Sequence, residues 1–264
     1  MTTSITAQRR RKATNGVPLG QSVYSELEEM IITLQLSPGS VISEASLMQR
    51  SRFGRTPMRE ALQRLERERL VKILPRRGIM VAEINVASQM KLLEVRRHLE
   101  RPLARFAAQR TTPEQRTQLL NFAGLINEAA ARNDAVAFIR ISKDLYAQLI
   151  AAAHNEYFEA LGLFHGLSRR FWFAHRREQH DLQKVVDAHV ARVGAVIKGN
   201  AHEAEQATDA LMDHLEEFAR ATLNGPSAYG LNPARLEPAA PSRQEQPNPS
   251  RASLPRRGGR SFGD

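Results

Sequence analysis

Apolar residues recur at every third or fourth position along most of this 264-residue chain, and this helical period constrains the fold more than any other feature. The pattern predicts three helices before residue 70 and six or so after residue 86. It is interrupted between Leu70 and Val81, where two short apolar runs flank Pro75-Arg76-Arg77-Gly78, the pattern of a β-hairpin. The sequence therefore predicts a mainly α fold, with three helices and a small β-hairpin followed by an all-helical bundle.

Caps and breakers set the expected helix boundaries. Ser43 is placed to cap the second helix, and Pro38-Gly39 is placed to end the first. Pro102 lies inside the fourth helix and predicts a kink or a break there. One apolar stripe of that helix contains Leu92, Val95, Leu99, Leu103 and Phe106. The predicted helices cover about residues 21–36, 44–50, 56–68, 86–110, a segment starting at 112, 135–153, 156–177, 181–198 and 201–223.

The positive charge is concentrated toward the two ends of the chain. Residues 1–82 carry 14 Lys and Arg against 7 Asp and Glu, residues 83–224 carry 18 of each, and residues 225–264 carry 6 against 3. These segments account for the formal net charge of +10. A basic part joined to a neutral part is typical of a protein in which one part binds a polyanion and the other binds something else. Charge alone leaves open a merely solvated basic surface.

The third predicted helix carries two arginines on its polar side. Arg55 and Arg59 are four residues apart, so both project from one face near the helix N-terminus. A recognition helix in the DNA major groove needs this arrangement, since guanidinium groups match guanine O6 and N7. Together with a basic hairpin that can contact a phosphate or the minor groove, the pattern predicts a winged helix-turn-helix rather than arginines that merely decorate a helix. The candidate DNA-binding residues, in and near a helix-turn-helix from about Glu44 to Gln63, are Arg52, Arg55, Thr56, Arg59, Gln63, Arg76, Arg77 and Gly78.

The sequence resembles the GntR-type bacterial transcription regulators, in the FadR-type subfamily with an all-helical FCD domain. The resemblance covers about residues 20–222, and its most specific part is the run from Arg55 to Leu62, Arg-Thr-Pro-Met-Arg-Glu-Ala-Leu. It implies that Arg55, Thr56, Arg59 and Gly78 lie at the DNA. In one departure, the turn that usually reads Leu-Gly-Val-Ser is here Ser51-Arg52-Phe53-Gly54. Arg52 either adds a phosphate contact or is solvated.

The resemblance also implies a ligand site in the helical domain. In many FCD domains an Asp and three His hold a divalent metal such as Zn, Ni or Mn, and a small carboxylic acid binds beside it. His189 and His214 match two of these histidines, but Ser142 and Tyr146 occupy the positions of the Asp and the remaining His. Two interpretations stay open: a weak metal site, or histidines that bind an anionic effector directly. The candidate effector-binding residues are Arg96, Arg97, Arg140, Tyr146, His189 and His214.

Arg96 and Arg97 are both candidates for a carboxylate clamp. Because they are adjacent on a helix, at least one of them points to solvent. The expected domains are a flexible basic N-terminus (1–17), a winged helix-turn-helix (18–84), a helical effector-binding and dimerisation domain (85–224) and a disordered tail (225–264).

The leading functional prediction is a homodimeric, cytoplasmic transcription regulator that binds a palindromic operator and responds to a small carboxylate-containing metabolite. Repression is the commoner outcome in the family. The chain has no cysteine, no apolar run of about 18 residues and no apolar segment after Arg9–Lys12, which argues against disulfides, a membrane span and an export signal. Two alternatives are a helical metal-dependent enzyme that uses His189 and His214, and a nonspecific nucleoid-type DNA binder. The chain contains no HExxH, P-loop or nucleophile-elbow motif, and we expect no enzymatic activity.

Overall fold

Nine α-helices and one small antiparallel sheet make up the described part of the chain, residues 18–51, 53–176 and 179–224 of the computed structural model. The mainly α fold class predicted from the sequence is confirmed. The predicted flexible N-terminus, the predicted disordered tail and Arg52 lie outside the described residues. Among the described helices, none combines the length and the apolar composition needed to span a bilayer.

The N-terminal unit, which we call the head, contains three helices and the sheet. Its core consists of apolar side chains from the helices and the two longer strands, including Leu27, Met58 and Leu65. Ser43 caps the second helix as predicted, because its hydroxyl accepts a hydrogen bond from the Ser46 N–H at 3.0 Å. The head elements are α1 (Leu19–Ile32), β1 (Val41–Ile42), α2 (Glu44–Ser51), α3 (Arg55–Arg67), β2 (Val71–Leu74) and β3 (Gly78–Val81).

The first helix ends earlier than its periodicity predicts. It stops at Ile32 rather than near residue 36, and Leu34 follows in the left-handed region with φ of 61°. The hydroxyl of Thr33 donates to the Glu29 carbonyl at 2.7 Å, inside the last turn. The chain therefore leaves the helix before Pro38-Gly39 is reached, and that dipeptide forms part of the following turn.

The sheet has a third strand that the sequence pattern did not predict. The strand order is β1-β3-β2, and both pairings are antiparallel. Ile42 pairs with Ile79 and Leu74 pairs with Gly78, so the hairpin is anchored against the segment that leads into α2. A two-residue strand leaves too short an alternating pattern to be recognised in a sequence.

The C-terminal unit, which we call the bundle, contains six α-helices. Side chains of Asn85, Thr112, Asp134 and Asn200 cap four of them, and Thr112 forms a full capping box with Gln115. The helices are α4 (Val86–Arg110), α5 (Pro113–Ala131), α6 (Ala135–Ala152), α7 (Glu159–His175), α8 (Gln179–Lys198) and α9 (Ala201–Ala221), with short 3-10 turns at Glu156–Phe158 and Thr222–Asn224.

Helix α4 runs unbroken through Pro102, so the predicted break does not occur. Contacts with α6, α7, α8 and α9 hold the helix along its length, and tertiary packing of this kind can offset the backbone hydrogen bond that a proline removes. The apolar stripe predicted on α4 is divided. Leu103 is buried, whereas Val95 and Leu99 remain 49% and 41% exposed.

The cores of the head and the bundle interlock where α1 meets α7. Ile32 at the end of α1 belongs to the apolar core of the bundle, and Leu167 of α7 packs against the core of the head. Gly166 lies at this contact, where a Cβ would stand 3.4 Å from Leu70 and 3.6 Å from a carboxylate oxygen of Glu28. The bundle therefore holds the head by mutual burial as well as through the connecting residues.

Candidate nucleic-acid interface and ligand site

Helix α3 presents one apolar and one basic face, as predicted. Met58, Ala61, Leu62 and Leu65 are buried against the head core, while Arg55, Thr56, Arg59 and Gln63 are exposed. The side chains of Arg55 and Arg59 are 69% and 62% exposed. The helix starts after Gly54, which has an extended conformation and offers no side-chain cap, so the first N–H groups of α3 have no side-chain partner from this position. This end of α3 is suited to an anionic partner.

Glu44, the first residue of α2, lies beside both arginines. Its carboxylate accepts a hydrogen bond from Arg59 Nε at 3.2 Å and lies 4.0 Å from Arg55 Nε. Exposed pairs of this kind contribute about 0–1 kcal/mol, so the arginines can exchange Glu44 for another acceptor at small cost. Glu44 therefore orients the two guanidinium groups without holding them firmly.

The hairpin between β2 and β3 forms a wing with two exposed arginines at its tip. Arg76 adopts φ of 61°, and the Arg77 N–H donates to the Leu74 carbonyl at 3.0 Å, closing the turn. Gly78 has φ of 111°, and a Cβ there would lie 2.7 Å from the Ile42 carbonyl oxygen. The close contact with β1 is thus by itself a reason for glycine at this position, whether or not the wing backbone also approaches DNA.

A cluster of charged side chains is buried in the bundle. Glu100 is fully buried and accepts hydrogen bonds from Arg96 Nε at 2.6 Å and from Arg192 Nη1 at 2.8 Å. Burial alone would raise the pKa of Glu100, but the two guanidinium groups hold it below its usual value. Arg96 Nη1 and Arg192 Nε are buried and make no hydrogen bond with any described residue. Two cations and one anion leave this cluster with one unbalanced positive charge.

Aromatic and imidazole rings surround the charged cluster. The ring of Tyr146 stacks on His165 with centroids 4.0 Å apart, and Arg192 Nη2 lies 3.3 Å from His189 Nδ1. Burial, together with nearby arginines, lowers the pKa of both histidines well below the ordinary value, so they are neutral at pH 7. Burial also raises the pKa of Tyr146, with Glu100 adding to the effect. Neutral rings beside unbalanced guanidinium groups form a site suited to an anion.

Of the other predicted effector residues, Arg97 and Arg140 pair elsewhere, whereas His214 lies close enough to His189 to help lower the pKa of that ring. Arg97 points to a different side of α4 from Arg96, where it binds Asp213 at 2.7 Å and Glu216 at 2.9 Å on α9. Arg140 is exposed and pairs with Glu29 on α1. His214 is half-buried, and burial together with Lys184 lowers its pKa. Of the adjacent pair Arg96 and Arg97, the buried residue is therefore Arg96.

Three residues of the cluster were not among the predicted site residues. Glu100, His165 and Arg192 are each buried and contact a predicted residue. Their spacing carried a usable signal: Glu100 lies four residues after Arg96, and Arg192 lies three residues after His189, so each pair shares a helix face. His165 gave no comparable signal, because its partner Tyr146 lies on another helix.

The residues present do not fit the divalent metal that the FCD resemblance implies. Within residues 18–51, 53–176 and 179–224, no group of three or more His, Asp or Glu side chains is arranged to hold a metal ion. Ser142 and Tyr146 are both buried but offer no carboxylate or imidazole, and the Arg192 guanidinium adjoins His189. A metal ion held by His189 and His214 would therefore have too few protein ligands, and it would lie near the positively charged Arg192 guanidinium.

A groove of about 640 Å³ lies elsewhere, between the head–bundle connection, α4 and α7. None of the buried cluster residues lines it. Its apolar lining comes from Ile84 of the connection and from α4 and α7, and it includes the exposed Val95. The lining residues are Arg69, Glu83, Ile84, Asn85, Ser88, Gln89, Lys91, Leu92, Val95, Phe164, Leu167, Arg170 and Phe171.

Comparisons with known proteins match both parts of the chain. Residues 19–81 match the family described as bacterial regulatory proteins, gntR family, and residues 91–216 match the FCD domain. The chain is 30% identical over 223 residues to the HTH-type transcriptional repressor NanR of Escherichia coli, spanning 76% of this chain and 83% of that protein. It is 28% identical over 145 residues to the Nta operon transcriptional regulator of Aminobacter aminovorans, spanning 55% of this chain and 68% of that protein.

The fold is also similar to a solved structure, E. coli McbR/YncC. The TM-score is 0.67 at 17% identity, covering 79% of this chain and all of the other. The basic face of α3, the wing and the bundle behind them thus occur in a chain that matches both family domains. The chain belongs to the GntR family of bacterial transcription regulators, with a DNA-binding helix-turn-helix followed by an FCD effector-binding domain.

Proposed function

We propose that this chain is a homodimeric repressor that binds a palindromic operator and responds to a small carboxylate of single negative charge. The observation that carries the DNA-binding part is the pair Arg55 and Arg59, exposed side by side on α3, where both guanidinium groups lie beside Glu44. The name of its relative NanR, a transcriptional repressor, supports repression as the outcome.

The role of the interface follows from its chemistry. Arg55 and Arg59 contact base edges in the major groove, where each bidentate arginine–guanine pair discriminates by about 1–3 kcal/mol. Thr56 and Gln63 share the exposed face of α3. The wing arginines, Arg76 and Arg77, contact the DNA phosphate backbone. A monomer would present one such helix. A two-fold symmetric dimer presents two, which match the two half-sites of a palindromic operator.

The surface proposed for dimerisation is the apolar side of α4. Val95 and Leu99 are exposed one helical turn apart, and Val95 continues into the groove that also contains Phe164 and Leu167 of α7. A second copy of the chain would cover these side chains, which are otherwise in contact with water. A small-molecule ligand in this open groove is the less favoured occupant, because the unbalanced charge lies in the buried cluster instead.

The first experiment is operator selection from random DNA with the purified full chain, followed by binding of the Arg55→Ala and Arg59→Ala variants. Each variant should lose about 1–3 kcal/mol on the selected operator and discriminate less at its contacted base. Both arginines are exposed, so the fold should be unaffected.

Arg132→Ala is the control, since Arg132 is an equally exposed arginine at the end of α5 in the bundle. It should leave operator binding unchanged. Equal losses for Arg55→Ala on operator and on random DNA would contradict base recognition and favour the nonspecific binder.

A further inference from the structure

Glu28 joins the head to the bundle through a buried ion pair. This residue of α1 is only 4% exposed, and its carboxylate accepts hydrogen bonds from Arg169 Nη2 of α7 at 2.5 Å and from Lys143 Nζ of α6. Burial would raise the pKa of Glu28, but these two cations hold it below its usual value, so the carboxylate is charged. Three helices from both units therefore meet at one buried carboxylate.

The neighbouring contacts extend this junction in both directions. On the bundle side, Arg169 Nη1 also donates to the Ile139 carbonyl of α6 at 3.1 Å. On the head side, the Tyr24 ring lies 4.9 Å from Lys143 Nζ and 3.7 Å from the Arg64 guanidinium carbon of α3. The Tyr24 hydroxyl donates to Glu68 at 2.8 Å, immediately after α3. A continuous set of contacts thus connects the C-terminal end of the recognition helix to α6 and α7.

A buried ion pair of this type adds little net stability, but it is costly to break. Its two charges have lost their hydration, so they must keep their partners, and separating them leaves an uncompensated buried charge. Ile32 of the head packs in the bundle core and Leu167 of the bundle packs against the head core, so rotation of the head on the bundle would also disrupt these apolar contacts. The head therefore has one preferred orientation on the bundle.

We propose that the Glu28–Arg169–Lys143 junction determines the half-site spacing that the regulator accepts, by fixing each head on its bundle. This inference rests on the proposed homodimer with two half-sites. Adding one base pair moves a half-site by about 3.4 Å and rotates it by about 35° around the DNA axis. A firmly held pair of heads cannot follow that displacement, whereas a loosened pair can.

The experiment measures binding to a series of operators whose half-sites, obtained by selection with the full chain, are spaced −1, 0, +1 and +2 base pairs from the optimum. The wild type should lose at least about tenfold in affinity for a one-base-pair change, comparable to a mismatched base. The Glu28→Gln/Arg169→Met variant replaces the ion pair by neutral side chains of similar length. It should lose less than about threefold over the same change, because its heads can follow the displaced half-site.

Arg140→Gln is the matched control. It removes an ion pair with Glu29 that also joins α1 to α6, but this pair is exposed and should leave the spacing penalty at the wild-type value. A folded double variant with the wild-type spacing penalty overturns the inference. A selection that returns no paired half-sites overturns the proposed dimeric function, and the inference with it.

A second variant covers the case in which the double variant fails to fold. Lys143→Gln leaves the Glu28–Arg169 pair intact and alters a side chain that is 30% exposed. Its spacing penalty should fall by about twofold to threefold, with a melting transition like that of the wild type. An unchanged penalty in this folded variant likewise overturns the inference.

Discussion

At the scale of single residues, His165 and His189 give the stability of the chain a predictable pH dependence. Both are neutral in the folded state because burial and nearby arginines lower their pKa, while in the unfolded chain each titrates near 6.5. Below that pH the unfolded state binds more protons than the folded state, so stability falls as the pH decreases from 7 to 5. Each histidine contributes up to about 1.4 kcal/mol per pH unit in this window.

Urea unfolding at pH 7, 6 and 5 measures this slope. His165→Phe keeps a ring to stack on Tyr146 but cannot bind a proton, so the slope should decrease by the share of one histidine, up to about 1.4 kcal/mol per pH unit. The control is His98→Phe, because His98 is exposed on α4 and its replacement should leave the slope unchanged. A His165→Phe slope equal to that of the wild type would contradict the assignment of proton uptake to this residue.

The sequence predicts residues on helix surfaces better than residues in the buried cluster. Helical spacing alone was enough to place Arg55 and Arg59 together on the exposed face of α3. The same spacing could not choose between Arg96 and Arg97, since the choice depends on where Glu100 and α8 lie. His165 was not among the predicted site residues for the same reason: a stacking partner on a distant helix has no local signature.

At the scale of elements, the wing depends on a strand pairing that involves Gly78. Alanine at this position would have to adopt φ near 111° and place its Cβ 2.7 Å from the Ile42 carbonyl oxygen. We expect Gly78→Ala to lower the free energy of unfolding by about 1–3 kcal/mol. Thermal unfolding monitored by circular dichroism measures the change.

Gly124→Ala is the matched substitution in a helix. Gly124 lies in α5, and nothing approaches its added Cβ within 4 Å. This variant should be more stable by about 0.5–1 kcal/mol, because alanine loses less backbone freedom in a helix. Gly78→Ala with wild-type stability would show that β1 does not constrain the wing.

The apolar side of α4 provides the element-scale prediction for assembly. Val95→Glu or Leu99→Glu should raise the dissociation constant of the homodimer at least about tenfold, because each places a charge where an apolar side chain would be buried. Sedimentation velocity over a concentration series measures the constant. Leu120→Glu is the control, since Leu120 is 63% exposed on α5, away from the groove, and should not alter assembly.

Helix α4 also illustrates how far periodicity predicts an element. Its limits, Val86–Arg110, agree with the predicted 86–110 because caps and polar breaks mark them locally. The division of its apolar stripe was not predictable, since the buried side includes Arg96 and Glu100, which pair with each other and with α8. A polar pair on a buried face weakens the pattern from which burial is inferred.

At the scale of the whole molecule, the proposed function has an effector that binds at the buried cluster of the bundle and alters DNA binding from there. We expect a small monocarboxylate to raise the melting temperature with a chelator present, and a matched dicarboxylate to do so less, because the cluster lacks a single negative charge. Thermal shift and operator binding with paired mono- and dicarboxylates measure both effects.

Two arginine variants make this prediction specific. Arg192→Met leaves Arg96 and Glu100 balanced and should weaken the response to the monocarboxylate at least about tenfold. Arg97→Gln alters only the surface contacts with α9 and should respond like the wild type. An unchanged response of folded Arg192→Met, or a preference for the dicarboxylate, would argue against a monoanion in this cluster.

The interlocked cores limit how regulators of this architecture can diversify. A head moved onto another bundle would carry Ile32 into a core that was not shaped for it, and a new head on this bundle would meet Leu167 with a surface that was not shaped to pack against it. Such a chimera would start with a cavity on one side and a clash on the other. Recombination at the connection between the units is therefore a poor route to new pairings of operator and effector. Compensating substitutions on both sides of the α1–α7 contact offer a better one.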